Sequence, residues 1–255
     1  MTLDLAAVAR EAAARWRQDR GILWPLAGLL LFVPQWATLM LVPDPPAMPG
    51  SAAPAAVQAW AEAVQRWAGG YGLGCLAAFV VAQLGQLAIV ALYVDAGERP
   101  TVGGALARAA RLLLRFLLAG LVVATPSLAM GLVAASAPAL LVLVVPVVVY
   151  VLGRTMLLGS ALLGRPGTGA VRAVALSWRW TRGHGLLLAL LVGGLLIAMS
   201  VSIQTVQATI AALRHAGIAN PVVLAALNAG AAGIAAAAML ALAMMQAVLY
   251  RRLAR

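Results

Sequence analysis

Few side chains in this sequence have the type and spacing that catalysis or metal binding requires. Ser177 and His184 form an i, i+7 pair on a predicted helix, but no carboxylate stands near them to complete a nucleophilic site. His184 and His215 lie at the two ends of the apolar run 186–213, which is predicted below to cross a membrane. They are therefore predicted on opposite sides of the membrane and cannot share a metal. The sequence contains neither an HExxH motif nor a P-loop. We therefore predict that the protein is not an enzyme and holds no metal and no cofactor.

The composition excludes a soluble protein. Of 255 residues, 64% are hydrophobic and 10% are charged, whereas soluble domains carry about 25% charged residues. The net charge of +11 comes from 18 basic residues, all of them arginine. Such a charge on a soluble chain would suggest nucleic-acid binding, but here a bilayer explains it better, and we predict no nucleic-acid partner. The single cysteine, Cys75, excludes an intrachain disulfide.

The chemistry that the sequence does offer is that of the guanidinium group. Residues 165–185 form a polar, arginine-rich segment between two apolar runs. Read as a helix over residues 169–182, this segment places Arg172 and Arg179 on one face together with the preceding Arg165, and apolar side chains roughly opposite. The pattern predicts an amphipathic helix that lies on a membrane surface.

Six apolar runs are long enough to cross a bilayer. They cover residues 22–42, 71–94, 112–135, 139–163, 186–213 and 221–250. Amphipathic segments at 4–20, 101–115 and 169–182 are predicted on one membrane surface, and an interfacial helix at 54–68 on the other, with its tryptophans at headgroup level. The predicted fold is all-α: one integral membrane domain over 1–255, with six transmembrane helices and about three interfacial helices on the cytoplasmic side.

The arginines also predict orientation. With six spans, 16 of the 18 arginines fall in segments on one side, and only Arg66 and Arg214 fall on the other. Short cytoplasmic segments of membrane proteins carry an excess of basic residues. We therefore predict a multi-pass protein of the bacterial inner membrane with both termini in the cytoplasm.

Two short patterns recur along the chain. Residues 16–21 and 178–183 share W-R-x-x-R-G, and residues 99–103 and 165–169 share R-P-x-x-G. One interpretation is three units, each a surface helix followed by a membrane hairpin. The alternative is convergence, because basic anchors in an arginine-rich protein drift towards such patterns.

The segment at residues 173–183, AVALSWRWTRG, resembles an A-x-x-x-S-W-x-L-T-x-G-like motif. That motif occurs in six-helix bacterial membrane proteins related to the membrane domain that accompanies some glycerophosphodiester phosphodiesterases. The preceding VYVLGR at 149–154 is similar too, since such proteins place a tyrosine and an arginine there. The resemblance is best over about residues 99–195. It implies a six-helix membrane fold and brings no established activity.

Arg154 is predicted well inside a span, about 24 Å from its start at 1.5 Å per residue. That depth is near the far edge of a hydrocarbon core about 30 Å thick. A buried charge in a membrane is costly and often functional. Three interpretations stand: snorkelling to the headgroups, an anion or lipid-headgroup site, and an interhelical hydrogen bond to a carbonyl.

We predict that membrane lipids with anionic headgroups bind the arginines of the cytoplasmic face, with generic anchoring as the alternative. The candidate side chains are Arg108, Arg111, Arg115, Arg154, Arg165, Arg172, Arg179 and Arg182. The function predicted is a non-enzymatic inner-membrane protein that associates with lipid, with a protein partner or with a second copy of itself.

The alternative function is a permease or exporter for a small or amphipathic solute. Ser200, Gln204 and Gln207 share one face of the fifth span, and Asn228 lies in the sixth. These side chains could line an outward-facing vestibule or join the two helices by hydrogen bonds. The row formed by Ala229, Gly233 and Ala237 is typical of close helix–helix approach.

Overall fold

The computed structural model describes residues 3–50, 53–94, 101–136, 138–165, 167–218 and 220–254, and over these ranges all regular secondary structure is helical. The helices are α1 Leu5–Gln18, α2 Arg20–Ala27, α3 Val33–Leu41, α4 Pro54–Val94, α5 Val102–Ser136, α6 Leu141–Thr155, α7 Leu158–Gly164, α8 Ala170–Trp180, α9 Gly185–His215 and α10 Pro221–Leu253. A π-helical turn, Gly28–Phe32, joins α2 to α3, and a 3-10 turn, Pro138–Leu140, precedes α6.

Six stretches of the described chain are long and apolar enough to cross a membrane. They are Arg20–Leu41, Pro54–Val94, Val102–Gly131, Val142–Gly164, Gly185–His215 and Pro221–Leu253, here called spans one to six. Many large apolar side chains on them are exposed, as lipid-facing residues are in a membrane protein. The prediction of an all-helical, multi-pass membrane protein with six spans is confirmed.

Span one is built in three pieces because of its prolines. Pro34 has no N–H to offer the carbonyl of Leu30 four residues earlier. The chain responds by widening one turn, in which the Val33 N–H bonds the Gly28 carbonyl five residues back. The wide turn thus accommodates Pro34 without ending the helix.

Span two differs from the prediction. The expected interfacial helix at 54–68 and the expected span at 71–94 form one helix of 41 residues, about 61 Å long. Gly69 and Gly70 do not end it, because each glycine costs a helix only about 1 kcal/mol, whereas a break leaves backbone groups without partners. A separate interfacial helix over 54–68 is therefore wrong.

The proline-rich segment that follows span one packs on the projecting end of α4. The Trp60 indole N–H donates to the Pro46 carbonyl at 3.1 Å, and the Trp67 indole N–H donates to the Pro43 carbonyl at 2.9 Å. Both carbonyls belong to the proline-rich segment, which cannot form a regular helix. The two tryptophans, predicted at headgroup level, bind this segment along α4.

Span four also differs from the prediction of one helix over 139–163. α6 ends at Thr155, and α7 begins at Leu158 after a two-residue turn. Residues 158–163 of α7 are all buried, and α7 contacts α4, α5, α8 and α10. The break turns the end of the span inwards and makes it part of the protein core.

α10 is the central helix of the bundle. It is the most buried span and packs against α1, α3, α4, α7 and α9. α5 lies at the periphery, since only 6% of its most apolar stretch is buried. The expected segments at 101–115 and 112–135 form one helix, α5. α1 and α8 are separate short helices, and their position at a membrane surface stays a prediction.

Contacts between helix ends show that spans two and six run antiparallel to span one. At the arginine-rich end, Glu11 of α1 pairs with Arg252 of α10 at 2.6 Å. At the same end the Tyr93 hydroxyl, at the close of α4, donates to the buried Asp19 carboxylate at 2.9 Å. The opposite end carries the turn between α9 and α10, and near it the Trp36 indole donates to the Ala225 carbonyl at 3.4 Å.

Each W-R-x-x-R-G copy lies at a corner between two helices, but the two corners differ in conformation. In the first, the corner between α1 and α2 is at Asp19, and Gly21 is already helical. In the second, the turn spans 181–184, and Gly183 has φ +85°, a backbone conformation open to glycine at little cost. The R-P-x-x-G copies include Arg99, Pro100 and Pro166, which lie outside the described residues.

Candidate functional site

The motif segment of α8 completes the break in span four. Ser177 is fully buried. Its hydroxyl donates to the Arg154 carbonyl at 2.8 Å and accepts from the Leu157 N–H at 3.2 Å. These are backbone groups at the point where α6 stops, and an unpaired backbone group in an apolar interior is costly. Ser177 therefore stabilises the interruption of span four.

Thr181 links the ends of the same two helices. It too is fully buried. Its hydroxyl lies 2.8 Å from the Ser177 carbonyl and 3.2 Å from the Arg154 carbonyl. Since a hydroxyl has one proton, it donates to one of these acceptors at a time, with the Ser177 carbonyl at the shorter distance. The hydroxyls of the motif thus serve the backbone of α6 and α8.

Arg154 lies at the centre of this junction with 6% of its surface exposed. Its Nη2 donates to the carbonyl of Trp178, one of the last carbonyls of α8, which lack partners within a helix. A cation also interacts favourably with the negative end of the helix dipole there. The guanidinium therefore caps α8.

Two aromatic rings enclose the same guanidinium. Its carbon lies 4.7 Å from the centroid of the Trp178 ring and 5.9 Å from that of Tyr150. The two rings meet edge to face with centroids 6.2 Å apart. Both distances fall within the range of cation–π attraction. Tyr150 and Arg154, paired in the resemblance, are thus paired in space.

Glycines allow α6 and α9 to approach closely enough to build this site. A Cβ on Gly153 would lie 2.6 Å from the backbone nitrogen of Ala189, and one on Gly185 would lie 2.6 Å from Cδ of Arg154. A Cβ on Gly193 would lie 2.8 Å from the Val149 side chain. Small residues at such crossings let membrane helices pack backbone to backbone.

The junction is organised for packing. Its hydroxyls are engaged with backbone groups, and its cation is engaged with a carbonyl and two rings. Of the three interpretations of Arg154, the structure supports the interhelical hydrogen bond to a carbonyl. Its burial sets Arg154 apart from the exposed arginines, and its Nε is buried without a hydrogen-bond partner in the described structure. Its assignment to the lipid- or anion-binding set stays a prediction.

Ser177→Ala is expected to lower the free energy of unfolding by about 2 kcal/mol, since it leaves the buried Leu157 N–H without an acceptor. The measurement is unfolding in a detergent titration, followed by circular dichroism. Ser202→Ala is the matched control, because the Ser202 hydroxyl bonds only the Ala198 carbonyl of its own exposed helix face. Equal stability losses in the two variants would contradict the role of Ser177.

The other predicted arginines divide into two groups. Arg108 is half-buried and donates to the Leu163 carbonyl at the end of α7. The remaining six are exposed, and none pairs with an acidic residue in the described part of the chain. They form what we call the arginine surface: Arg111, Arg115, Arg165, Arg172, Arg179 and Arg182.

The predicted vestibule residues are only partly brought together. The Gln207 side-chain amide donates to Asn228 Oδ1 at 3.4 Å, and Asn228 is buried and also contacts the sulfur of Met40 at 3.6 Å. Ser200 and Gln204 are exposed on α9. Gln207 and Asn228 therefore form an interhelical hydrogen bond, and the transport alternative stays a prediction.

Sequence reasoning missed the polar contacts at the arginine-rich end. Glu11 bridges Arg15 at 2.5 Å and Arg252 at 2.6 Å, and Asp19 accepts from Tyr93. The sequence signal that could have indicated these contacts is the rarity of acidic residues, of which the whole chain has 7. An acidic residue beside an arginine-rich terminus is a candidate partner for residues distant in sequence.

No protein-family model matches this chain, and no curated protein or solved structure shows significant similarity to it.

Proposed function

We propose that this protein is a non-catalytic component of the bacterial inner membrane, with both termini in the cytoplasm, that associates with anionic lipid headgroups. The observation that carries the proposal is the arginine surface. It presents six exposed guanidinium groups, and none has an acidic partner among the described residues.

The arginine surface is shared by two helices that touch. Arg111 and Arg115 lie on α5, Arg172 and Arg179 lie on α8, and the two helices pack against each other. A juxtamembrane arginine contributes about 1 kcal/mol of attraction to an anionic leaflet. Guanidinium groups also bind phosphate oxygens through paired hydrogen bonds. Several guanidinium groups on neighbouring helices therefore support lipid phosphate as the group that they bind.

The orientation follows from the same residues, because basic segments stay on the cytoplasmic side. The absence of catalysis is proposed from the engagement of the Ser177 and Thr181 hydroxyls with backbone groups. A relation to the membrane domains that accompany glycerophosphodiester phosphodiesterases is compatible with this proposal, since it implies a membrane fold and brings no established activity. A protein partner or a second copy with an acidic surface is the alternative occupant of the arginine surface.

Anionic lipid is expected to stabilise the protein, and replacing Arg111, Arg115, Arg172 and Arg179 by glutamine is expected to abolish that effect. The measurement compares the thermal unfolding midpoint in phosphatidylcholine nanodiscs with the midpoint in nanodiscs that contain phosphatidylglycerol. For the wild type the anionic lipid should raise the unfolding midpoint by several degrees, because each arginine contributes about 1 kcal/mol of attraction to the anionic headgroups. The quadruple variant lacks four of these contributions.

Arg66→Gln with Arg214→Gln is the matched control, because both arginines are predicted on the opposite side of the membrane. This double variant should respond to phosphatidylglycerol as the wild type does. The proposal fails if anionic lipid leaves the wild-type midpoint unchanged, or if the control variant loses the response and the quadruple variant keeps it.

A further inference from the structure

An apolar groove of about 690 Å³ runs along α10 on the side of α1 and span one. Its walls are the small residues of α10, the face of α1 that carries Ala9 and Ala13, and the π-helical turn. All of its lining side chains are apolar, apart from the indole N–H groups of Trp16 and Trp24. A volume of this size falls in the range of about 300–1,000 Å³ that is typical of ligand sites.

The length of the groove matches one leaflet of a bilayer. Along α10 it extends from Met245 to Gly233, about 18 Å at 1.5 Å per residue. Half of a hydrocarbon core is about 15 Å thick. Met245 lies toward the arginine-rich end of α10 and Gly233 lies near the middle of the helix. The groove therefore runs from the arginine-rich end of the span to about its middle.

The row of small residues on α10 forms part of this groove. Gly233 and Ala237 were predicted to mark a close helix contact, but Ala237 is exposed, and a Cβ built on Gly233 would have no neighbour within 4 Å. Glycines at true helix contacts in this protein, such as Gly153, have no such space. A partner helix crosses both leaflets, whereas this groove is one leaflet deep.

Two tryptophans line the groove, and two arginines lie close to them in sequence. Trp16 and Trp24 contact each other with ring centroids 6.2 Å apart, and Trp24 is 61% exposed. Tryptophan favours the level of the lipid headgroups. Arg17 and Arg20 are exposed and lie between these tryptophans in sequence, at the corner of α1 and α2.

We propose that this groove binds one acyl chain of an anionic phospholipid from the arginine-rich leaflet, with the lipid phosphate on Arg17 and Arg20. The apolar walls take the chain, the depth fits a chain of one leaflet, and the two guanidinium groups complement the phosphate. This site is separate from the arginine surface of α5 and α8 and does not depend on it.

The test is native mass spectrometry of the delipidated full-length protein in detergent, titrated with dioleoyl phosphatidylglycerol. The readout is the dissociation constant of the first lipid bound. Ala237→Trp fills the groove and is expected to weaken this first binding about tenfold, since contacts with several methylene groups are lost. Ala198→Trp, on the exposed surface of α9 and outside the groove, should leave it unchanged.

Changes to the lipid and to the charges separate the parts of the site. Lysophosphatidylglycerol, with one chain, should bind as the first lipid as well as the two-chain lipid does. Arg17→Gln with Arg20→Gln should reduce phosphatidylglycerol binding to the level of phosphatidylcholine, while phosphatidylcholine binding stays the same. Ala241→Phe is a second groove-filling variant in case Ala237→Trp does not fold.

Three results would overturn the proposal. In the first, the groove variants and Ala198→Trp bind the first lipid equally. In the second, the wild type is a dimer and the groove variants are monomers with unchanged lipid binding, so a second copy occupies the groove. In the third, Arg172→Gln with Arg179→Gln removes the first lipid while the groove variants keep it, which assigns that lipid to the arginine surface.

Discussion

Gly153→Ala is expected to lower the free energy of unfolding by about 3 kcal/mol, because one added methyl group must separate two helices. The new Cβ would lie 2.6 Å from the Ala189 nitrogen and 2.7 Å from its Cα. Backbone atoms cannot rotate out of the way as a flexible side chain can. The measurement is unfolding in a detergent titration followed by circular dichroism and tryptophan fluorescence.

Gly194→Ala is the control for this substitution. Gly194 lies on α9, as Ala189 does, but a Cβ there meets no atom within 4 Å. Alanine favours a helix over glycine by roughly 0.5–1 kcal/mol, so this variant should be as stable as the wild type or slightly more so. Similar losses in both variants would show that α6 and α9 do not pack as closely as described.

Arg154→Glu is expected to have the largest effect of any single charge substitution, about 4 kcal/mol of unfolding free energy. The carboxylate would face the Trp178 carbonyl and the negative faces of two rings, where the guanidinium now donates and stacks. Burial leaves it little water to compensate. We expect the variant to unfold at a much lower detergent concentration than the wild type.

Two further variants test whether shape as well as charge matters at Arg154. Arg154→Lys keeps the charge but loses the planar group, and should cost about 1–2 kcal/mol. Arg179→Glu, on the exposed face of α8, should change stability by less than about 0.5 kcal/mol. If Arg179→Glu destabilises the protein as much as Arg154→Glu, the site around Arg154 is not special.

Hydrophobicity and charge were sufficient to predict the class of the fold. An apolar run of about twenty residues has few stable alternatives to a spanning helix, so all six spans were found. The direction of each span then follows, because consecutive spans cross the membrane in opposite directions. The start of α8 was also predictable, because its arginines recur at a helical period among apolar residues.

The break in span four could not be predicted. Met156 and Leu157 are ordinary helix formers, and the turn exists because Ser177 and Thr181 arrive from another helix to bond the freed groups. Such long-range compensation leaves no local trace in the sequence. The contact between Arg154 and the Trp178 carbonyl could not be predicted for the same reason. The predicted depth of Arg154 assumed one straight helix, whereas α6 ends at Thr155.

The continuous α4 and the groove were missed for a related reason. Two adjacent glycines usually signal a turn, but Gly69 and Gly70 remain helical in a setting where a break is more costly than the glycines. Small residues on α10 match both a helix contact and an open groove. Only the position of α1 and span one decides between the two.

The junction in span four has a consequence for how the chain is made. The groups that complete it, on Ser177 and Thr181, lie 23 and 27 residues after the Arg154 carbonyl that they bond. While the ribosome is still translating that interval, no hydroxyl is present to receive the Leu157 N–H. The bend of the fourth span is therefore completed only when α8 packs against the end of α6.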